Sequence, residues 1–223
     1  MKLQEARRDL YRRLAKEEGF KSRAAYKLIE ANERYRIISR GSRVVDFGAA
    51  PGGWLQVCSR IVGDSGFVVG VDLREISLKG KNLKTLRIDV YDESVGGIVS
   101  KVLGGRAADV ILSDLSPSVS GIWELDHFKQ VEMTQRVLSL AETLLKKGGN
   151  GFFKIFEGER SGEVKRGLIG RFEEVRTMKP RASRRESSEL FYVGLAWRVL
   201  SPDPRLSTQQ RQPPRPPRRL PPS

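Results

Sequence analysis

The feature of this 223-residue chain that points most directly to chemistry is a glycine-rich run from Asp46 to Trp54. The residues before the run are typical of a strand, and the residues after it are typical of a helix. A glycine-rich turn between a strand and a helix is where α/β proteins bind nucleotide-like cofactors, because glycine lets the backbone approach the ligand closely. The run therefore predicts a cofactor site.

The residue types within this run favour one cofactor class over another. A dinucleotide site has the pattern G-x-G-x-x-G and holds a pyrophosphate. Here Ala50 occupies the second glycine position, and Pro51 has no backbone N–H to donate to a phosphate. Asp46 suits a cationic ligand group. The run thus favours S-adenosyl-L-methionine, which carries an ammonium and a sulfonium but no phosphate, and disfavours an NAD-dependent oxidoreductase.

Two more acidic residues follow predicted strands. Asp72 ends a valine-rich stretch 24 residues after Gly48, a position suited to accept hydrogen bonds from ribose hydroxyls. Asp89 ends the next predicted strand and is suited to meet an adenine amino group. Each acid alone is typical of a turn or strand end. Together with Asp46 at successive strand ends, they predict a methyltransferase-type site at the carboxyl edge of a sheet.

A second group of residues has surroundings that simple solvation does not explain. Lys154 lies inside the apolar stretch 151–156, and Asp114 follows an apolar strand and precedes a turn. Glu189 begins the last predicted strand, and Lys27 lies on a predicted N-terminal helix. Taken singly, these residues fit ordinary roles: a snorkelling lysine at a sheet edge, a turn cap and two solvated charges. Only the four residues together indicate a particular kind of site.

Several motifs, in this order along the chain, closely resemble those of the FtsJ/RrmJ (RlmE) family of ribosomal RNA 2′-O-ribose methyltransferases. They are Ser22–Leu28, Asp46–Trp54, Ser113–Pro117 with Ser120-Gly121, Lys154 in its phenylalanine-rich strand, and Ser187–Glu189. The resemblance covers roughly residues 15–198. It implies methylation of a uridine 2′-hydroxyl in large-subunit (23S-type) ribosomal RNA, with S-adenosyl-L-methionine as the methyl donor.

The resemblance also implies roles for individual residues. The implied catalytic tetrad is Lys27, Asp114, Lys154 and Glu189, and the implied cofactor-binding residues are Gly52, Trp54, Asp72, Asp89 and Asp114. A ribose hydroxyl is a weak acid, so a base within hydrogen-bonding reach assists its attack. Burial and a neighbouring cation favour the neutral form of a lysine, so we expect Lys154 to be that base. Asp114 would orient its amine, and Glu189 would offset the charge of Lys27.

The net charge of +14 is concentrated at the two ends of the chain. Residues 1–40 carry a net charge of +6, residues 41–175 are neutral, and residues 176–223 carry +8. Clustered positive charge binds RNA by releasing phosphate counterions. We therefore expect ribosomal RNA or the large ribosomal subunit as the partner. The predicted basic surface comprises Arg7, Arg8, Arg12, Arg13, Lys16, Lys21 and Arg23 at the N-terminus, and Lys179, Arg181, Arg184 and Arg185 before Glu189.

The elements that must position these residues alternate between strands and helices. We predict strands near 43–48, 66–71, 84–89, 108–113, 150–156, 172–178 and 189–198. We predict helices near 53–62, 92–103, 125–147 and 161–170, after an N-terminal helix from Leu3 to Lys16 and a second one capped by Ser22. Such alternation indicates an α/β, Rossmann-like methyltransferase fold, with a mostly parallel seven-stranded sheet and helices on both faces. The last two strands are expected to form an antiparallel pair at one edge.

The predicted organisation has three parts. Residues 1–40 form basic helices that contact RNA, residues 41–200 form the catalytic domain, and residues 201–223 form a disordered tail. Eight of the 23 tail residues are proline and five are arginine, a composition too poor in apolar residues to build a core.

Composition also limits the function classes. Cys58 is the only cysteine and His127 the only histidine, which makes a structural metal site improbable. The charged N-terminus does not resemble a signal peptide, and no stretch has the length of a membrane span. We expect a cytoplasmic monomer without membrane contact. Two alternatives remain open: a 2′-O-methyltransferase acting on transfer RNA, and a non-catalytic RNA-binding protein of ribosome assembly.

Overall fold

The computed structural model describes residues 3–183 and 187–198, and side chains from Leu10 onward. The predicted tail at 201–223, together with Arg184 and Arg185, lies outside the described residues, as do the side chains of Arg7 and Arg8. The helices are α1 (Leu3–Glu17), α2 (Ala25–Tyr35), α3 (Gly53–Val62), α4 (Val95–Val102), α5 (Trp123–Leu144) and α6 (Ser161–Ile169). The strands are β1 (Arg43–Phe47), β2 (Phe67–Asp72), β3 (Leu83–Arg87), β4 (Ala108–Ser113), β5 (Leu145–Phe156), β6 (Phe172–Met178) and β7 (Glu189–Trp197).

The seven strands form one sheet in the order β3-β2-β1-β4-β5-β7-β6. β7 is antiparallel to both of its neighbours, and the other strand pairs are parallel. The chain runs outward from β1 to β3, then returns to place β4 on the other side of β1. Ligands of open α/β sheets bind at such a reversal, beyond the carboxyl ends of the strands. The sheet therefore directs a ligand to the ends of β1 and β4.

Helices cover both faces of the sheet. One buried cluster packs α4, α5 and α6 against the sheet, and the second packs α2 and α3 against the opposite face. β1 and β4 are buried along nearly their whole length, which explains why consecutive apolar residues, Val44-Val45 in β1 and residues 110–112 in β4, replace an alternating pattern there. The predicted fold class is confirmed, as is the antiparallel pairing of the last two strands.

The start of α2 differs from the prediction. Ser22 does not cap this helix: Ala24 occupies the N-cap position, without a side-chain capping bond, and α2 begins at Ala25. The carbonyl of Ser22 accepts a hydrogen bond of 3.2 Å from the N–H of Ala25, within a tight turn. The Ser22 side chain faces the glycine loop instead, since a Cβ added at Gly53 would lie 2.4 Å from Ser22 Oγ. Contact with the loop thus replaces capping.

The junction between α5 and β5 also differs. The prediction extended the helix to 147 and began the strand at 150, but α5 ends at Leu144 and β5 begins at Leu145. Leu145 pairs with Ala108, and the register then shifts before Asn150 pairs with Val110. Gly148, with a φ of 74°, lies in this irregular segment. A glycine there allows a bulge, which a sequence pattern does not reveal.

None of the helices that the structure describes is both long enough and apolar enough to cross a bilayer.

Candidate active site

The glycine loop follows β1 and lies against the residues that follow β4. Gly48 has a φ of 79°, and a Cβ added there would lie 2.6 Å from the backbone nitrogen of Leu115. Only glycine permits this backbone approach, because both the positive φ and the short distance exclude a side chain. The loop after β1 and the Asp114 segment after β4 therefore meet at the point where the strand order reverses.

Asp46 lies beneath this loop, within β1, and is fully buried. Neither of its carboxylate oxygens has a hydrogen-bond partner among the residues described. Burial raises the pKa of Asp46 well above its ordinary value, and the negative charges of Asp114 and Asp72 raise it further. Three acids close together with an unpaired buried carboxyl form a site that a positively charged ligand group would stabilise.

Two clefts open beside the loop. The larger, of about 630 Å³, is lined by Asp72, Asp89, Asp114 and Lys154 among others. The smaller, of about 210 Å³, is lined by Lys27, Asp46, Trp54 and Asp114 among others. Asp114 lines both clefts, and so does Gly48. The structure therefore brings the predicted cofactor acids, and the predicted catalytic residues Lys27, Asp114 and Lys154, to two clefts that share lining residues. Glu189 is not among the residues that line either cleft.

The predicted ribose and adenine acids differ in their surroundings. Asp72 is buried at the end of β2, where it accepts hydrogen bonds from the backbone N–H groups of Ala50 and Arg74, each 2.9 Å long. Asp89 lies two residues beyond β3 rather than at its end, because the strand stops at Arg87. Its carboxylate accepts a bond of 2.9 Å from the N–H of Tyr91, so it belongs to a turn on the cleft wall.

Gly52 and Trp54 hold the loop in shape. Gly52, with a φ of 107°, is the N-cap residue of α3, and it is not among the residues that line either cleft. The indole N–H of Trp54 donates a bond of 2.8 Å to the carbonyl of Ala24, while its ring packs against Phe152 with a centroid separation of 5.3 Å. Trp54 thus ties the loop to the start of α2, the helix that carries Lys27.

Lys154 and Asp114 form the first of two lysine–acid pairs. Lys154 is buried in β5, and its Nζ donates a hydrogen bond of 2.7 Å to the backbone oxygen of Asp114. The same Nζ lies 3.0 Å from Asp114 Oδ1, at the distance of an ion pair. Since β4 and β5 are adjacent and parallel, the end of one strand delivers the acid to the lysine of the other.

Lys27 and Glu189 form the second pair. Lys27 Nζ donates a hydrogen bond of 2.6 Å to Glu189 Oε1, and both side chains are largely buried, at 10% and 14% exposed. Lys27 Nζ also lies 5.4 Å from the centroid of the Phe191 ring. In the antiparallel ladder Lys154 pairs with Phe191, and Phe156 pairs with Glu189. Glu189 therefore lies on the same face of the sheet as Lys154, two residues along.

The charges of this site hold Glu189 in its ionised form. Burial raises the pKa of Glu189, but the charge and hydrogen bond of Lys27 and the charge of Lys154 more than offset it. Ser183 adds a hydrogen bond of 2.8 Å from its hydroxyl. The pKa of Glu189 consequently lies below its ordinary value. No sequence signal identified Ser183, because its contact depends on how the segment before β7 folds back.

Replacing Glu189 with glutamine should destabilise the protein at neutral pH. The change leaves the Lys27 charge buried without a counter-ion, and we expect a loss of about 3 kcal/mol in the free energy of unfolding. Because the pKa of Glu189 is lowered by folding, its contribution is present above the unfolded-state value of about 4.3 and disappears as the pH falls through the folded-state value. Urea unfolding at neutral and acidic pH measures both effects.

Glu142→Gln is the matched control for this variant. Glu142 pairs with Arg171 at 2.7 Å, but its side chain is 44% exposed, so its loss should change stability by less than about 1 kcal/mol. Equal losses for the two variants at neutral pH would contradict the importance of the buried Lys27–Glu189 pair.

The residues described here include no cluster of histidine, cysteine, aspartate or glutamate arranged to hold a metal ion. His127 accepts a hydrogen bond of 3.1 Å at Nε2 from the backbone N–H of Arg160, and Cys58 is buried in α3.

Comparison with known proteins shows which family has sequences similar to this chain. The family model of FtsJ-like methyltransferases matches residues 20–197. The chain is 42% identical over 194 residues to the ribosomal RNA large subunit methyltransferase E of Cenarchaeum symbiosum, which covers 87% of this chain and 97% of that protein. It is 43% identical over 198 residues to the protein of the same name from Nitrosopumilus maritimus, covering 88% of this chain and 99% of that one.

A solved structure shows the same fold. A chain from Plasmodium falciparum, provisionally named a ribosomal RNA methyltransferase, superimposes with a TM-score of 0.71 and 26% sequence identity. The superposition covers 80% of this chain and 98% of that one. The family model and the relatives each match most of the chain. The chain therefore belongs to the FtsJ-like methyltransferase family.

Proposed function

We propose that this protein transfers a methyl group from S-adenosyl-L-methionine to a ribose 2′-hydroxyl, that of a uridine in large-subunit ribosomal RNA. The observation that carries the proposal is the pair of buried lysine–acid contacts, Lys154–Asp114 and Lys27–Glu189, at the carboxyl edge of the sheet. The relatives named as ribosomal RNA large subunit methyltransferase E support the choice of RNA.

The residues around the glycine loop fit a cationic cofactor. Asp46 offers a buried carboxyl without a partner among the residues described, and the tight turn at Gly48 leaves backbone rather than side chain at the cleft. We assign cofactor binding to Gly52, Trp54, Asp72, Asp89 and Asp114 and add Asp46. Gly52 would act by shaping the loop, and the acids by direct contact. When bound, the cofactor supplies an electrophilic methyl group on a sulfonium.

Lys154 is the proposed base. A neutral amine has two N–H groups and one lone pair. One N–H of Lys154 donates to the Asp114 carbonyl, and Asp114 Oδ1 lies 3.0 Å from the same nitrogen. In the proposed mechanism, the lone pair of the neutral amine accepts the proton of the incoming hydroxyl. Lys154 would take that proton while the hydroxyl oxygen accepts the methyl group, which the bound cofactor would release from its sulfonium. The protonated lysine then pairs with the Asp114 carboxylate.

Glu189 and Lys27 complete the proposed catalytic set. Glu189 is ionised at neutral pH and interacts electrostatically with both lysines. It therefore stabilises the charge that Lys154 gains when the proton arrives. Lys27, on α2, balances Glu189 at 2.6 Å and lines the smaller cleft.

Exposed basic residues on two segments that contact each other form the proposed RNA surface. Lys16 and Lys21 are exposed on the N-terminal segment, and Lys179 and Arg181 are exposed before β7. The two segments meet, because the N–H of Arg181 donates a bond of 2.8 Å to Glu30 on α2. Contacts of this kind position the RNA backbone without reading its sequence. We propose residues 1–40 as RNA-contacting and residues 41–200 as the catalytic domain.

A comparison of methyl acceptors tests the substrate. Purified large subunits, naked ribosomal RNA and transfer RNA are each incubated with isotopically labelled S-adenosyl-L-methionine. We expect incorporation into large-subunit RNA, free or assembled, and RNA binding that weakens steeply as salt is added. Efficient labelling of transfer RNA alone would assign the alternative substrate. Salt-insensitive RNA binding would contradict the proposed basic surface.

A further inference from the structure

Two polar side chains on α5 contact the main chain of Lys154. Gln130 and Thr134 lie one helical turn apart, and both are fully buried. Gln130 Nε2 donates a hydrogen bond of 3.0 Å to the backbone oxygen of Lys154. Thr134 Oγ1 lies 3.4 Å from the same oxygen. The two residues thus approach the lysine from the helix side, away from its amine.

The neighbouring strand does not extend as far as this position. The parallel ladder of β4 with β5 ends where Ser113 pairs with Phe153. Asp114 then leaves the ladder, and its N–H donates a bond of 3.0 Å to the carbonyl of Phe47. The departure of β4 opens the cleft and frees Asp114 to meet Lys154. It also leaves the Lys154 main chain without a β4 partner, and a side chain of α5 supplies a donor there instead.

Counting protons identifies Gln130 as the main donor. A threonine hydroxyl carries one proton. Thr134 Oγ1 lies 3.0 Å from the backbone oxygen of Gln130, closer than its 3.4 Å to Lys154, so that proton goes to its own helix. The Gln130 amide has two N–H groups, one for Lys154 and one for Thr134 Oγ1 at 3.4 Å. Only Nε2 can face the lysine carbonyl, because a flipped amide would place two oxygens together.

The buried Gln130 amide lowers the stability of the fold. Gln130 Oε1 is buried and has no hydrogen-bond partner within the part of the chain that the structure describes. A buried polar atom without a partner is unfavourable, and such atoms are rare in folded proteins. An apolar side chain at this position would avoid the penalty but would give up the bond to Lys154. The glutamine is therefore better suited to fixing geometry than to maximising stability.

We propose that Gln130 is a positioning residue that fixes the main chain of Lys154 so that its Nζ stays at Asp114. The inference rests on the proposed role of Lys154 as the base. Lys154 is then held at both ends: Gln130 binds its carbonyl, and Asp114 binds its amine. A small displacement of a reacting group lowers a rate strongly even when binding is unchanged.

Gln130→Met tests this role, because methionine keeps the length of the side chain and removes its donors. We expect kcat for methyl transfer to fall about 10- to 100-fold. The KM for RNA and the Kd for S-adenosyl-L-methionine should not change, since Gln130 is not among the residues lining either cleft. Thr134→Val should lower kcat less, because Thr134 accepts a bond from the Gln130 amide and is not the main donor to the Lys154 carbonyl. Should Gln130→Met fail to fold, Gln130→Asn gives the same test, since its shorter amide cannot reach the carbonyl.

A double-variant cycle separates positioning from a merely structural role. Added to Lys154→Met, the Gln130→Met change should cause no further loss of kcat, because it acts through a lysine that is absent. Losses that multiply, or a fully active Gln130→Met beside an inactive Lys154→Met, would overturn the positioning role alone. A fully active Lys154→Met would instead overturn the base assignment.

Discussion

Lys154→Met should lower kcat for methyl transfer by about 10²–10⁴-fold, the range expected when a general base is removed. Methionine fills the space of the buried stem in β5 but has no lone pair that accepts a proton at neutral pH. The Kd for S-adenosyl-L-methionine should stay within about threefold of the wild-type value, because the loss concerns the reacting hydroxyl. Single-turnover transfer to RNA, with cofactor binding measured by calorimetry, gives both quantities.

Lys146→Met is the matched control for this experiment. Lys146 belongs to the same strand and also pairs with an aspartate, Asp109 Oδ1 at 2.6 Å. It lies near the amino end of the parallel sheet, where its partner begins β4, far from the cleft residues. Its loss should change kcat by about twofold at most. A Lys154→Met enzyme as active as Lys146→Met would contradict the base assignment.

Asp46→Asn should make the protein more stable and worse at binding its cofactor. The buried carboxyl of Asp46 has no partner within the described residues, so removal of its charge should raise the free energy of unfolding at pH 7 by about 1–2 kcal/mol. The same change removes the group best placed for a cation, and we expect the Kd for S-adenosyl-L-methionine to rise about 10- to 100-fold. Urea unfolding and calorimetry measure the two effects on one sample.

The pH dependence of this gain follows from the sign of the pKa shift. Folding raises the pKa of Asp46 above its unfolded value of about 3.9, so the native state loses stability as the pH rises between the two values. The stability gain of Asp46→Asn should therefore vanish below about pH 4 and be complete above the folded-state pKa. Cofactor affinity of the wild type should increase with pH, since the cation favours the ionised carboxyl, and that increase should be absent in the variant.

Asp109→Asn should change the free energy of unfolding in the opposite direction. Burial raises the pKa of Asp109, but bonds from the Arg43 N–H and from Lys146 more than offset that effect and lower it. Loss of this charge should destabilise the protein at pH 7 and leave cofactor binding unchanged. If Asp46→Asn proved destabilising at pH 7 with normal cofactor affinity, Asp46 would have no role in binding a cation.

Much of the fold could be predicted from local pattern. The bounds of α3, β4 and β6 agree with the prediction, because each is a periodic or apolar run between clear turn residues. The elements whose bounds differ from the prediction are set by contacts with residues distant in sequence. Ser22 contacts the glycine loop instead of capping α2, and β5 begins early because Leu145 pairs with Ala108. Neither contact leaves a signal within a short window of sequence.

The site shows the same division. Lysines inside apolar segments and acids after strands are visible in sequence, and the structure places Lys27 beside Glu189 and Lys154 beside Asp114. The contacts that surround these residues are not visible in the sequence. Gln130 reads as one polar residue on a long helix, and its importance depends on where β4 leaves the sheet. The charge of Asp46 is visible in the sequence, whereas its isolation from hydrogen-bond donors among the described residues depends on packing.

The chemical position of the methyl group shows most directly whether the acceptor is a ribose hydroxyl. Large-subunit ribosomal RNA is methylated with isotopically labelled cofactor, digested to nucleosides and separated by mass spectrometry. We expect label in 2′-O-methyluridine when the wild-type protein is used, and loss of that label with Lys154→Met. Label on a base would contradict the account, because neither the Lys154–Asp114 pair nor the Lys27–Glu189 pair would then serve the reaction proposed for it.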